Sequence, residues 1–224
     1  MKNGSIVLRY INEDDINDYI HWTTVETEWG EWDAPWEEDD GEDFVERQRD
    51  ALNKTPVIFT KLEIETNLGQ HIGWVSSYGI NGDKTKTAVG IDIPPIDARG
   101  KGYGECALSL FMAYLFIKSD LDTLYAQTWS GNTSMIRLAE KIGFIEIDRI
   151  YKLREVKGKK YDALTFSISK EEFFNKYPDL KEYENFLHRQ FIIHELEKAK
   201  KKAQEPNTKW LSEEEFWDDF EESL

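Results

Sequence analysis

The segment Arg99-Gly100-Lys101-Gly102-Tyr103-Gly104 lies between an extended apolar run and a helical one, and no other six residues of the chain indicate as much about its chemistry. Residues 88–93, just before it, carry apolar side chains at alternate positions, and two prolines then end the strand pattern. Residues 107–115, just after it, repeat apolar side chains at helical spacing. The pattern predicts a strand, a glycine-rich loop and a helix. Backbone N–H groups at such a helix start attract a phosphate or a diphosphate.

This glycine-rich loop differs from two common nucleotide-binding loops. It lacks the dinucleotide fingerprint G-x-G-x-x-G, because Cys106 and Ala107 follow the last glycine, and no Gly-Lys-Ser/Thr completes a Walker A pattern. What remains is R-x-x-G-x-G, formed by Arg99, Gly102 and Gly104. By itself, this spacing fits anion binding and a plain strand-to-helix turn equally well.

A second informative segment, residues 132–144, reads N-T-S-M-I-R-L-A-E-K-I-G-F. It follows a strand predicted over residues 123–129 and a Ser130-Gly131 turn. Its apolar residues recur at helical spacing, Gly143 is a helix stop, and Phe144 begins another strand.

Together, the two segments resemble the GNAT superfamily of N-acetyltransferases. That family carries (R/Q)-x-x-G-x-(G/A) at the start of its central helix and, further along the chain, an asparagine, a helix and Lys-x-Gly-Phe. The matching residues here are Arg99, Gly102, Gly104, Asn132, Lys141, Gly143 and Phe144. The resemblance covers roughly residues 5–168. The opening Leu8-Arg9-Tyr10, followed by Glu13-Asp14-Asp15, resembles the Rim-like branch, which includes ribosomal-protein N-terminal acetyltransferases.

Strand and helix patterns alternate in a mixed order, which favours an α/β domain with a central, mostly antiparallel mixed sheet and helices on both faces. The resemblance implies the same design, with a fourth and a fifth strand that run parallel and then splay apart to admit the cofactor. Strands are predicted at residues 5–10, 56–64, 71–78, 88–93, 123–129, 145–154 and 161–168. Helices are predicted through residues 16–22, 44–52, 107–115 and 136–142.

We place a GNAT-like domain at residues 1–169 and a helical, acidic C-terminal extension at residues 170–224. The extension contains a long helix candidate that starts at Asp179 or Lys181 and ends near Lys202. A short acidic segment with apolar residues on one side follows it. The apolar stripe must be buried, and we expect either its own domain or a second copy of the chain, in a homodimer, to cover it.

The composition excludes several classes of protein. A formal net charge of −16 argues against nucleic acid as a partner, since phosphate contacts need clustered Lys and Arg. The sequence contains no apolar segment long enough to predict a membrane span, and we find no signal-peptide pattern at its N-terminus. The single cysteine, Cys106, predicts a cytoplasmic protein without an internal disulfide, and we expect it to be a buried helix residue. Four scattered histidines form no metal-ligand pattern, so no metal is expected.

The resemblance implies direct transfer of an acetyl group from acetyl-CoA to an amine. The backbone of the glycine loop and the side chains of Arg99 and Lys101 are expected to hold the diphosphate. Asn132 or Ser134 would position a water or the pantetheine amide. The predicted donor-binding residues are Ile93, Arg99, Gly100, Lys101, Gly102, Tyr103, Gly104, Asn132 and Ser134.

The residues at the end of the fourth strand have two expected roles. The resemblance implies that a backbone N–H at this strand end, that of Asp92 or Ile93, polarises the thioester carbonyl, and Pro94 and Pro95 have no N–H to give. The Asp92 carboxylate is also a candidate base, since an ammonium must lose a proton before it can attack. Alternation puts Asp92 opposite Ile91 and Ile93, so an outward-facing strand carboxylate is the alternative.

An acidic, tryptophan-rich stretch at residues 26–43 supplies further candidates. Its Glu28 and Glu31, like Asp92 and Asn132, are candidate catalytic residues, because carboxylates interleaved with tryptophans can hold a cation. A solvated acidic loop over packed tryptophans is the alternative. The acid that many family members supply as tyrosine is missing, since Ala139 stands at that position.

The sequence therefore predicts an N-acetyltransferase acting on a primary amine of a cationic acceptor. Polyamines, aminoglycoside-like compounds and peptide N-termini are the acceptors that the carboxylates favour. One alternative is a non-catalytic module that binds acyl-CoA and contacts a partner through the C-terminal helices, which the missing tyrosine motivates. A second is an interaction protein whose acidic tail mimics nucleic acid.

Overall fold

The computed structural model describes residues 6–36, 41–52, 54, 58 and 60–182. Seven strands in this part of the chain form one sheet: β1 (Ile6–Arg9), β2 (Lys61–Thr66), β3 (His71–Ile80), β4 (Asp83–Asp92), β5 (Thr123–Trp129), β6 (Ile145–Val156) and β7 (Lys159–Ser169). Their order is β1-β2-β3-β4-β5-β7-β6, and each neighbouring pair is antiparallel except β4 and β5. The mostly antiparallel mixed sheet predicted from the sequence is confirmed.

Helices cover both faces of this sheet, as predicted. The described helices are α1 (Asp15–Thr24), α2 (Gly41–Ala51), α3 (Tyr103–Lys118), α4 (Thr133–Ile142) and α5 (Lys170–Lys176). On one face, Tyr19 and Trp22 of α1 and Val45 of α2 form a buried cluster with Trp74 of β3. On the other face, α3 begins against β4, where Gly104 lies close to the end of the Ile91 side chain.

The central helix α3 is buried on all sides, whereas its sequence predicted one apolar stripe. Each side chain from Cys106 to Phe116 is buried, including the single cysteine. The outer side of α3 is covered by the residues that follow β7, since Phe173 packs 5.5 Å from the Phe116 ring and Tyr177 donates to Glu105 at 3.2 Å. A helix covered on both sides needs no polar face. Residues 170–182 therefore pack as part of this domain.

Most predicted elements are found within a few residues of their expected bounds. The strand predicted from residue 56 begins at Lys61, and the predicted helix start at residues 179–181 is a short 3-10 segment, Pro178–Glu182. The rest of the predicted long helix and the acidic segment after it lie outside the described residues, as do residues 37–40. Among the helices described, none is long and apolar enough to span a membrane.

Candidate active site

The parallel neighbours β4 and β5 pair at one position, Ala88 opposite Tyr125, and separate beyond it. A cleft of about 1280 Å³ opens between their carboxyl ends. The cleft is lined by the end of β4, the glycine loop, the end of β5, the start of α4 and the β6–β7 hairpin. The gap that the resemblance implied between the fourth and fifth strands is confirmed.

The glycine loop, residues 99–104, turns the chain from β4 into α3 at the edge of the cleft. Gly100 and Gly102 have φ values of +73° and +87°, in the left-handed region that favours glycine. A Cβ built on either would meet nothing within 4 Å, so open space faces both residues. This accessible backbone, followed by the first N–H groups of α3, fits a diphosphate. Tyr103 lines the cleft, whereas Lys101 is exposed and does not.

The Arg99 side chain ties this loop to its surroundings through three contacts. Its Nε donates to the Ile93 carbonyl at 2.8 Å, and its Nη2 donates to the Pro94 carbonyl at 2.7 Å. Its Nη1 lies 2.6 Å from Glu28 Oε2. The side chain predicted to hold the diphosphate thus also fixes the chain just after β4, where the thioester carbonyl is expected.

Asn132 is the N-cap residue of α4 and joins this helix to a distant part of the chain. Its Oδ1 accepts from the Met135 N–H at 3.0 Å and caps the helix, while its Nδ2 donates to the Trp32 carbonyl at 3.0 Å. Ser134 also lines the cleft. Ala139, which stands where the resemblance places a tyrosine acid, is fully buried within α4.

A segment between α1 and α2, residues 26–36, reaches from the β4 side of the cleft to the β5 side; we call it the strap. On the β4 side, Glu28 pairs with Arg99. On the β5 side, the Trp32 carbonyl accepts from Trp129 Nε1 at 3.1 Å as well as from the start of α4. Hydrogen bonds at both edges therefore hold the strap across the cleft, which excludes a freely solvated loop.

The two predicted strap carboxylates have different surroundings. Glu28 lines the cleft and accepts from Trp32 Nε1 at 2.8 Å. Hydrogen bonds from Trp32 and Arg99 hold the pKa of Glu28 below its ordinary value. The Glu28 carboxylate therefore stays ionised over a wider pH range and is a weak proton acceptor. Glu31 instead lies 2.9 Å from Lys157 Nζ and is not among the described residues that line the cleft.

Asp92 ends β4 on the sheet face that α1 and α2 cover. It stands opposite Trp74 of β3, whose indole N–H donates to its carboxyl group. Ile91 and Ile93 point the other way, toward Gly104 of α3, as strand alternation predicts. Helices cover both faces of the sheet at this point. Asp92 lines the cleft, so the interpretation of it as an outward-facing carboxylate is wrong.

Burial and the charge of nearby Asp33 raise the pKa of Asp92 well above that of an ordinary carboxyl group. The Lys61 ammonium and the Trp74 hydrogen bond act in the opposite direction. A carboxyl group with a raised pKa is suited to accept a proton near neutral pH. Asp33 belongs to the strap, so the strap and β4 together form the acidic end of the cleft.

Three aromatic rings form a wall beside these carboxyl groups. Trp29 lies 5.4 Å from the Trp74 ring and 6.0 Å from the Phe44 ring, and Phe44 lies 5.6 Å from Trp74. All three line the cleft. Ring faces beside carboxylates attract an ammonium group. The sequence pointed to Trp29, but Phe44 and Trp74 lie on α2 and β3, and no spacing in the sequence links them to the strap.

A buried polar layer beneath α1 has no signal in the sequence. His71 of β3 contacts Glu63 through Nε2 at 3.0 Å and Asp18 through Nδ1 at 2.9 Å. Burial lowers the pKa of His71, but the hydrogen bond and charge of Glu63, with Asp15 and Asp18, raise it overall. The ligand atoms of Asp15, Asp18 and His71 lie within 4.8 Å of one another. They do not fit a metal, because Arg9 binds both Asp15 oxygens and both ring nitrogens of His71 already contact carboxylates.

Comparison with known proteins agrees with this arrangement. Residues 5–145 match the Acetyltransferase (GNAT) domain family. The SPbeta prophage-derived uncharacterized N-acetyltransferase YokL of Bacillus subtilis (strain 168) is 26% identical over 132 residues, which cover 58% of this chain and 70% of the relative.

Two crystal structures show the same fold. One is a GNAT-family acetyltransferase from Bacillus anthracis, with a TM-score of 0.62 and 18% identity, covering 75% of this chain and 96% of the other. The second is spermidine N-acetyltransferase from Vibrio cholerae in complex with CoA and spermine, with a TM-score of 0.61 and 17% identity, covering 76% of this chain and 98% of the other.

The family match spans more than half of this chain. The chain therefore belongs to the GNAT family and is an acetyl-CoA-dependent acetyltransferase.

Proposed function

We propose that this acetyltransferase acts on a primary amine of a cationic acceptor, such as a polyamine, an aminoglycoside-like compound or a peptide N-terminus. The acceptor end of the cleft carries this proposal, since the Trp29, Phe44 and Trp74 rings stand there beside Asp33 and Asp92. Carboxylates and ring faces together favour an ammonium over a neutral group. The spermine in the Vibrio cholerae structure supports the same class of acceptor.

In the proposed reaction, Asp92 takes a proton from the acceptor's ammonium, and the neutral amine attacks the thioester carbonyl carbon. The carbon–sulfur bond breaks as the carbon–nitrogen bond forms. The nitrogen then loses a second proton, and the departing thiolate takes up one proton. The backbone at Ile93 polarises the carbonyl oxygen. A thiol with a pKa of about 8.5 leaves as a thiolate without the acid that Ala139 cannot supply.

Thiol release from acetyl-CoA, measured with spermine, an aminoglycoside, a basic peptide and a neutral primary amine, tests this proposal. We expect turnover with at least one cationic acceptor and a much lower kcat/KM for the neutral amine. Mixtures without amine control for thioester hydrolysis. Acetyl-CoA binding without turnover on any cationic amine would contradict the proposal and favour the non-catalytic module.

The same panel tests the finer predictions from the sequence. Turnover restricted to peptide N-termini would favour the Rim-like branch, whereas turnover of polyamines would place the chain nearer the spermidine N-acetyltransferases. The homodimer and the cytoplasmic location remain predictions, for which sedimentation and cell fractionation are the direct measurements.

A further inference from the structure

Two side chains predicted to hold the donor are also the ones that hold the strap. Arg99 pairs with Glu28 at one edge, and Asn132 donates to the Trp32 carbonyl at the other. The strap carries part of the acceptor wall. Donor and acceptor sites therefore share contacts, which is the physical condition for coupling between the two ligands.

The Arg99 guanidinium is held so that one of its three contacts can be exchanged. Nε and Nη2 bond the carbonyls of Ile93 and Pro94, which fix its orientation. Nη1 alone meets a charged group, Glu28. The Arg99 and Glu28 side chains are 31% and 42% exposed, and an ion pair this exposed contributes little net stability. A diphosphate on the adjacent glycine loop offers the same guanidinium a more highly charged partner.

We propose that Glu28 competes with the donor's diphosphate for Arg99 and, when displaced, becomes the counter-ion of the acceptor's ammonium. Glu28 is placed for both partners because it lines the cleft, and its neighbour Trp29 belongs to the aromatic wall. Its other oxygen keeps the 2.8 Å hydrogen bond from Trp32 Nε1, so the carboxylate can change partners without leaving the strap. This inference rests on the proposed function, because it concerns a cationic acceptor.

The exchange predicts opposite effects on the two substrates from one substitution. Glu28→Gln removes the competitor of the diphosphate, so we expect CoA to bind about two- to fivefold more tightly. The same change removes a counter-ion from the acceptor site, so we expect the acceptor KM at saturating acetyl-CoA to rise about tenfold. If Glu28 served only to hold the strap, Glu28→Gln would instead weaken the binding of both substrates or of neither.

Titration calorimetry with CoA measures the donor side. Glu146→Gln is the matched control, because Glu146 pairs with Arg149 at 2.8 Å with 36% and 34% exposure and does not line the cleft. We expect it to leave CoA affinity unchanged. A double-mutant cycle separates competition for Arg99 from general repulsion of an anion. In an Arg99→Gln background, Glu28→Gln should no longer tighten CoA binding, whereas general repulsion would persist.

Coupling between the substrates gives a second measurement. Spermine binding to the wild-type protein should strengthen when CoA is present, and this gain should be lost in Glu28→Gln. CoA affinity that is unchanged or weaker in Glu28→Gln, while the wild type binds CoA and acetylates a cationic amine, would overturn the exchange and leave the proposed function intact. Failure of the wild type to turn over any cationic amine would overturn the proposed function first.

Discussion

At the scale of single residues, the pair of carboxyl groups at Asp92 and Asp33 gives the first prediction. Asp92→Asn removes the proposed base, so we expect kcat/KM for a cationic acceptor to fall about 10²- to 10⁴-fold while CoA binding is retained. The pH profile of the wild type should lose activity as Asp92 becomes protonated, at a pH above the usual carboxyl range, because burial and Asp33 raise its pKa.

Asp33→Asn tests whether protonation of Asp92 causes the loss of activity on the acidic side of this pH profile. Removing the Asp33 charge lowers the pKa of Asp92, so the acidic limb should move to lower pH. An acidic limb that stays in place in Asp33→Asn would mean that a different group is being protonated.

His71 gives a second residue-scale prediction, for stability rather than activity. Its folded-state pKa lies above the ordinary value, so its protonated form stabilises the fold below about pH 6.5. This contribution is lost as the pH rises through the folded-state pKa. We expect His71→Gln to cost about 3 kcal/mol near pH 6, since it removes one partner of a buried group, and clearly less near pH 9.

Urea unfolding of the wild type and His71→Gln at both pH values measures that difference. His21→Gln is a suitable control, because His21 is an exposed histidine beside a single carboxylate, 3.9 Å from Glu26. Equal costs of His71→Gln at the two pH values would show that its charge does not contribute.

At the scale of elements, the end of β4 depends on a glycine in the neighbouring strand. A Cβ at Gly73, where φ is +145°, would come within 2.0 Å of the Asp92 carbonyl oxygen. We therefore expect Gly73→Ala to displace the end of β4, lower the free energy of unfolding by about 1–3 kcal/mol, and weaken acetyl transfer. Thermal melts and thiol release measure the two effects.

Gly69→Ala controls for backbone conformation in this experiment. Gly69 also has a positive φ, +78°, but nothing lies within 4 Å of its Cβ position. We expect Gly69→Ala to lower the free energy of unfolding by about 1 kcal/mol and to leave the specific activity unchanged. Equal loss of activity in both variants would contradict a special requirement at the end of β4.

At the scale of the whole molecule, the net charge of −16 should assist the proposed acceptor. A strongly negative protein attracts cations over long range, and salt screens that attraction. We expect kcat/KM for a polycationic acceptor to fall about three- to tenfold as ionic strength rises from about 0.01 M to 0.15 M. A neutral amine measured alongside should show little change, and parallel losses for both would contradict electrostatic attraction.

Much of the fold followed from local pattern. The strand, glycine loop and helix around Arg99 were predictable because turn chemistry and periodicity are short-range properties. The helix stop predicted at Gly143 was equally local, and it is present in the structure. The complete burial of α3 was not predictable, since it depends on Phe173 and neighbouring residues that fold back from far along the chain.

In the candidate site, too, some features follow from local sequence and others depend on residues that are distant along the chain. The glycine loop is one continuous segment whose backbone is predicted to bind the donor, so the family and the class of donor could be predicted from local sequence. The proposed acceptor end joins side chains from the strap, α2, β3 and β4, and the partners of Arg99, Asp92 and His71 come from distant segments. These contacts could not be read from the sequence, because packing brings together residues whose separation along the chain carries no periodic signal.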